Sequence, residues 1–208
     1  FGPPGTGKTT YIAQRVNEEL NNNHDAQVLI LTPTNHSSDV VAMKIKNAGC
    51  DILRAVNTTS SCNKELVEQI ISQGLEVTNS CNEEGANIIA CTIHYFSDPL
   101  THIHDHPWDI IIIDEASMVT LDYVLFALIK GKGNNSKCRF LIAGDPLQLP
   151  AITNLDPFIL EKADLDEFNF FSFIGLKEFS DDVSKLSEPV RDKIKVGSIN
   201  SIFYFLHK

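Results

Sequence analysis

The chain has 208 residues, 43% of them hydrophobic, and carries 27 acidic against 17 basic side chains for a net charge of −10. That is enough apolar material for one sizeable α/β core and the start of a second domain, while the acidic balance argues against a surface that coats nucleic acid and leaves room only for a narrow basic groove. No apolar run reaches membrane-spanning length, and the five cysteines, odd in number and never in a C-x-x-C pair, support neither a disulfide framework nor a zinc site.

The first element is a loop. Gly2-Pro3-Pro4-Gly5-Thr6-Gly7-Lys8-Thr9 fits G-x-x-x-x-G-K-[ST] at every position. In such a loop the backbone N–H groups turn inward around phosphates, and glycine is needed where a Cβ would block close approach. Gly2, Gly5 and Gly7 meet that need. Lys8 is placed to reach the β- and γ-phosphates as a compact positive charge, and the Thr9 hydroxyl to ligate Mg²⁺ at the start of a helix whose N-terminus favours anions. Pro3, Pro4, Thr6 and Thr10 complete the expected nucleotide-binding set. The helix itself is announced by Ile12, Val16 and Leu20, apolar residues four apart. Only Phe1 precedes Gly2 and the first residue is not Met, so the strand that should feed the loop is missing and the sequence reads as a piece of a longer chain.

Short apolar runs rich in β-branched residues follow at 28–32, 52–56, 88–92, 110–114 and 140–143. Strands that are apolar on both faces and spaced by helical stretches predict a parallel sheet covered by helices, with functional residues at the carboxyl ends of the strands. Between them, 37–47 predicts a helix burying Val40, Val41 and Met43, and 64–73 one burying Leu66, Val67, Ile70 and Ile71. The segments 58–63 and 78–85 read as polar loops. His102-Ile103-His104-Asp105-His106 has metal-ligand chemistry but reads as a polar connection, with no second ligand cluster near it. Asn63-Lys64-Glu65 lacks the Asp of a guanine-reading motif, since Leu66 follows. Phe168, Phe170, Phe171 and Phe173, without interleaved Arg or Lys, predict packing rather than base stacking.

Ile110-Ile111-Ile112-Ile113 ends in Asp114 and Glu115, a buried strand tipped by two carboxylates. Beside a phosphate loop, one carboxylate at a strand tip can hold Mg²⁺ and the next can polarise a water in line with the γ-phosphate. Asp114 is expected to serve the metal and Glu115 the water.

Asp114-Glu115-Ala116-Ser117 is also where the chain resembles a known family, the superfamily 1 helicases of the group that includes the nonsense-mediated-decay RNA helicase and its DNA and viral relatives. Leu31-Thr32-Pro33-Thr34-Asn35-His36-Ser37-Ser38-Asp39-Val40 resembles its motif Ia, which grips the nucleic-acid backbone. Ala90-Cys91-Thr92-Ile93 is similar to the segment whose Thr contacts the bound strand. Ala143-Gly144-Asp145-Pro146-Leu147-Gln148-Leu149-Pro150 resembles motif III, where the Gln senses the γ-phosphate; in its own terms, a Gln amide can donate to a phosphate oxygen and accept from a water. Leu186-Ser187-Glu188-Pro189-Val190-Arg191 resembles motif IV, with Asp192-Lys193-Ile194 where the family often has Met-His-Pro.

The resemblance implies a RecA-like P-loop NTPase fold, ATP and Mg²⁺ as cofactors, and single-stranded RNA or DNA as partner. Thr34, Asn35 and Thr92 would contact the strand; Lys8, Glu115, Gln148 and Arg191 would serve catalysis. Residues 1–185 would form the first RecA-like domain and 186–208 the start of the second, the rest of which lies in a parent helicase. An intracellular protein, cytoplasmic or nuclear, is implied, and a piece this short should hydrolyse ATP poorly by itself. Two other classes stay open: a P-loop ATPase switch or remodeller that does not act on nucleic acid, and a catalytically incomplete nucleotide-binding fragment.

Overall fold

The computed structural model describes residues 7–56, 64–78, 87–145, 148, 150–163, 165 and 167–174. Among these, six parallel strands form one sheet: β1 (Val28–Thr32), β2 (Leu53–Ala55), β3 (Glu76–Thr78), β4 (Ile88–Thr92), β5 (Ile110–Ile113) and β6 (Arg139–Ile142), in the order β3-β2-β4-β1-β5-β6. The helices are α1 (Lys8–Asn22), α2 (Asn35–Asn47), α3 (Lys64–Ser72), α4 (Ile93–Ser97), α5 (Leu121–Asn134), α6 (Pro157–Lys162) and α7 (Phe170–Phe173). The expected α/β fold with a parallel sheet is present.

The central strands are apolar throughout because both of their faces are covered. Successive side chains alternate sides, so Val28, Ile30, Ile110 and Ile112 pack with Ile12 and Val16 of α1, Val41 and Ile45 of α2 and Ile70 of α3. Leu29, Leu31, Ile111 and Ile113 pack on the opposite side with Phe96 of α4, Val124 and Leu128 of α5, and Phe170 and Phe171 of α7. Each such side chain contributes about 1.5–3 kcal/mol by leaving water, which is what holds both helix layers to one sheet. The four phenylalanines behave as packing residues, Phe170 and Phe171 buried and Phe168 and Phe173 lying against the same core.

Several local expectations need correction. Val40 is 47% and Ile71 56% exposed, so the buried face of α2 is Ser38, Asp39, Val41, Ala42 and Ile45, and that of α3 is Ile70. Clusters of adjacent apolar residues do not say which of them faces the sheet. Helix α2 starts two residues earlier than expected because Thr34 caps it, accepting from Ser37 N at 3.1 Å. Thr78, expected to open a polar loop, instead closes strand β3, paired with Ala55. The histidine segment holds a short 3₁₀ turn, Ile103–Asp105; His104 is buried, its Nδ1 3.2 Å from the Phe96 carbonyl, and Trp108 Nε1 donates to the Ile103 carbonyl at 3.0 Å. The expected loop 58–63, Asn63, most of 78–85 and the proposed second-domain segment 186–208 lie outside the described residues.

Candidate functional site

Because all six strands run the same way, their carboxyl ends meet at one edge, and the residues just past β1, β4, β5 and β6 are brought together there. The turn after β5 is stitched on both sides: Asp114 N donates to the Leu31 carbonyl at 2.9 Å, Ala116 N to the Ala143 carbonyl at 2.9 Å, and Ala151 N to the Ser117 carbonyl at 3.2 Å. Glu115 takes a left-handed conformation, φ 52°, unusual for a non-glycine residue, and its carbonyl accepts from Met118 N at 2.9 Å. These bonds fix the backbone from which the two carboxylates project.

Asp114 is 5% exposed. Burial pushes its carboxyl above the usual range, and the neighbouring Glu115 charge adds to this; the Glu115 N–H, donating to Asp114 Oδ1 at 2.9 Å, and the Lys8 ammonium pull the other way. Lys8 opens α1, directly after Gly7, whose φ of 87° suits a residue without a side chain. Lys8, Thr9 and Thr10 are thus the first turn of a helix, with its positive end at the site. The rest of the loop, Gly2, Pro3, Pro4, Gly5 and Thr6, lies outside the described residues, as does Arg191.

Gln148 donates its backbone N–H to the Asp145 carbonyl at 3.0 Å. Two buried polar side-chain atoms here have no hydrogen-bond partner among the described residues: Gln148 Oε1 and Ser117 Oγ. Orphaned buried polar atoms are rare in a folded core and call for a donor or acceptor from a ligand or water. Gly144 is needed for packing: a Cβ on it would lie 2.7 Å from Phe171 Cε2 and 3.1 Å from Ala116 N.

A second group of residues sits beside the first. Thr34 caps α2 and Thr92 caps α4, accepting from Tyr95 N at 3.2 Å. Asn35 and Thr92 line a shared cavity of about 240 Å³ with His94, Tyr95 and Asp98. The Asn35 side chain is engaged from below: Arg54 Nη2 donates to its Oδ1 at 2.8 Å, while Arg54 Nε donates to Asp39 Oδ1 at 2.8 Å and Nη1 to the Ala55 carbonyl at 2.7 Å. Arg54 is fully buried in β2 and was not anticipated; the signal was available, a lone charge inside the apolar run 52–56. Ser37 was also overlooked. Its Oγ donates to Glu115 Oε2 at 2.5 Å and lies 2.8 Å from Thr34 Oγ1, so the two groups of residues touch through it.

A family model described as an AAA domain matches residues 1–154, most of the chain. The chain belongs to this AAA-domain family. The curated relatives it matches are helicases, in keeping with the superfamily 1 resemblance that its motifs carry. It is 26% identical over 158 residues to the DNA replication ATP-dependent helicase/nuclease DNA2 of Saccharomyces cerevisiae, covering 75% of this chain and 10% of that protein. To the putative helicase mov-10-B.2 of Danio rerio it is 27% identical over 170 residues, covering 73% and 16%, and to the RNA helicase Mov10l1 of Mus musculus 26% over 165 residues, covering 72% and 13%. The AAA domain described here therefore spans 10–16% of these relatives' lengths. Among solved structures, an arterivirus nonstructural protein 10 helicase with DNA aligns at 20% identity and a TM-score of 0.44, over 73% of this chain and 29% of that one.

Proposed function

We propose that this AAA domain binds ATP and hydrolyses it with Mg²⁺, as part of a helicase that moves along single-stranded RNA or DNA. The reading is supported by Lys8, Asp114 and Glu115, close enough for the charges of Lys8 and Glu115 to act on the Asp114 carboxyl at the tip of β5, and by the orphaned Gln148 Oε1. ATP would lie with its phosphates in the loop Gly2 to Thr10, the Lys8 ammonium between the β- and γ-phosphates. The donor set fits a hard divalent cation: Asp114 is a buried carboxylate whose burial disfavours its charge, which a cation would compensate, and Thr9 offers a hydroxyl on the first helical turn. When bound there, Mg²⁺ would neutralise charge on the phosphate oxygens.

Glu115 accepts a proton from the attacking water, its carboxylate carried on a turn whose backbone is held by hydrogen bonds on both sides. Gln148 supplies an acceptor and two donors: Oε1 for that water and the amide N–H groups for a phosphate oxygen. Arg191, at the start of a second RecA-like domain beginning at 186, would complete the charge around the γ-phosphate. Thr34, Asn35 and Thr92 would hold the phosphate backbone of the strand, a contact that serves RNA and DNA alike. Among the described residues no helix is long and apolar enough to cross a membrane.

The test is Glu115→Gln in the intact parent protein, assayed with single-stranded RNA and DNA. Turnover should fall by about 10²-fold or more, the range for removing a general base, while ATP still binds. Undiminished stimulated hydrolysis would reject the role, and hydrolysis indifferent to both strands would favour a nucleotide switch acting elsewhere.

A further inference from the structure

The cavity of about 240 Å³ at the carboxyl ends of β2 and β4 has a chemistry that a grip on the phosphate backbone leaves unexplained. Ala55, Val56 and Leu66 give it an apolar lining, while Asn35, Thr92 and Asp98 bring polar groups to it. Apolar walls with a few polar groups are the make-up of a subsite for one small molecule or residue, not of a charged groove. Its volume lies below the about 300–1,000 Å³ of pockets that enclose drug-sized ligands, so it suits one small ring.

Two of the polar side chains have one end already engaged. Asn35 Oδ1 accepts from Arg54 Nη2 at 2.8 Å, so the amide nitrogen is the end that remains, with two N–H donors. Asp98 Oδ1 accepts from Leu100 N at 2.9 Å, which leaves Oδ2 as an acceptor. The Asp98 charge excludes a phosphate from the cavity. A group that fits offers a donor to Asp98, an acceptor to Asn35 and apolar faces to Val56 and Leu66. Cytosine has this pattern in one ring, an N4–H₂ donor beside the N3 and O2 acceptors. Uracil and thymine set O4 against the carboxylate instead, and adenine carries the donor and acceptor on two rings.

Resting on the functional reading above, we propose that this cavity is a base-selective subsite that takes one cytosine of the bound strand, Asp98 Oδ2 accepting from the exocyclic amine and Asn35 Nδ2 donating to the ring edge. The placement follows from the lining. Asn35 and Thr92 belong to the cavity and are also assigned to the strand's phosphates, so a group that enters is attached to a held phosphate. The two N–H groups of Asn35 suffice for a phosphate oxygen and a base together. Binding along a strand is then uneven: a cytosine at the cavity pairs its amine, whereas a uracil or thymine leaves Asp98 facing an acceptor. Polar groups left unpaired by the wrong ligand are what give such a site its discrimination.

The experiment measures the affinity of the intact parent protein for labelled single-stranded oligonucleotides of one length at one fixed salt concentration. The probes are oligo(dC), oligo(dU), oligo(dA) and their RNA counterparts, and the proteins are wild type, D98N and L66F. Wild type should bind oligo(dC) about tenfold more tightly than oligo(dU), the scale of one good base contact, with a similar ratio in the RNA pair. D98N keeps an acceptor for Leu100 N but adds N–H groups that donate to O4, so the ratio should fall to about one. L66F fills the cavity while leaving the Asp98 carboxylate in the chain, and it should lower the affinity for oligo(dC) to that for oligo(dU). Equal binding of oligo(dC) and oligo(dU) by wild type, oligo(dA) bound as tightly as oligo(dC), or a cytosine preference that survives in D98N or L66F would overturn the subsite and leave the functional reading standing. A D98N variant that shifted only the ratio of RNA to DNA would assign the cavity to the ribose and overturn it as well. A wild-type protein that bound none of the six probes would overturn reading and subsite together.

Discussion

Gly144 shows what one residue does at this site and how little of its reason lies next to it in sequence. As part of Gly144-Asp145-Pro146 it reads as a tight turn, yet the constraint on it comes from Phe171, whose ring fills the space where a side chain would go. Phe171 is 3% exposed and packed among α5 and β5 residues, and the other close atom, Ala116 N, is fixed by its bond to the Ala143 carbonyl. Neither neighbour can yield cheaply. Gly144→Ala should therefore destabilise the fold by about 1–3 kcal/mol, as overpacking does in a filled core. Urea unfolding with an unchanged m-value would measure it. Combining it with Phe171→Leu should cost less than the sum of the two single changes, because the smaller side chain frees the space the new methyl needs. Wild-type stability in Gly144→Ala would contradict the packing argument.

Among the elements, the strands were legible because their side chains are apolar on both faces, and the carboxylates at the tip of β5 because an acid after four isoleucines has no place in a core. What could not be read was anything set by a distant partner. The start of α2 depended on a cap geometry, β3 on pairing with β2, and the exposure of Val40 and Ile71 on which helix face met the sheet. Arg54 combines these cases: its strand was predicted, its partners were not. It joins β2 to α2 through Asp39 and Asn35, and to β4 through the Ala90 carbonyl at 3.4 Å. Arg54→Met would leave the Asp39 carboxylate, 4% exposed, without its cation. Losing one partner of a buried pair costs about 3–5 kcal/mol, so this variant should unfold at much lower denaturant. Arg54→Met/Asp39→Leu should regain most of the loss, since no buried charge remains. If the double variant is as unstable as the single one, the network matters for its hydrogen bonds to the backbone and not for its charge.

At the scale of the whole molecule, the strand order β3-β2-β4-β1-β5-β6 ties the two helix layers to one another, because each central strand gives alternate residues to both cores. Neither layer can come away without stripping one face of the sheet. Buried thiols report on each side: Cys50 among the α1, α2 and α3 contacts, Cys91 and Cys138 among those of α4 and α5. Burial pushes the Cys50 thiol up, and those of Cys91 and Cys138 up to about 12, so in the folded protein all three are poor nucleophiles as well as inaccessible. Pulsed alkylation across a denaturant series, read peptide by peptide, should find Cys50, Cys91 and Cys138 becoming reactive at one midpoint; separate midpoints would mean the layers unfold independently. The same thiols set an alkaline limit. Their ordinary value is 9.0, so above it the unfolded chain releases protons that the folded chain retains, and rising pH favours unfolding. Stability should be full below 9.0 and decline as pH rises from there toward about 12. Denaturant midpoints taken at about pH 7 and about pH 10 should differ in that direction, and the difference should shrink in C91A/C138A, where neither side chain can ionise. An equal fall in that variant would assign the alkaline loss to other groups.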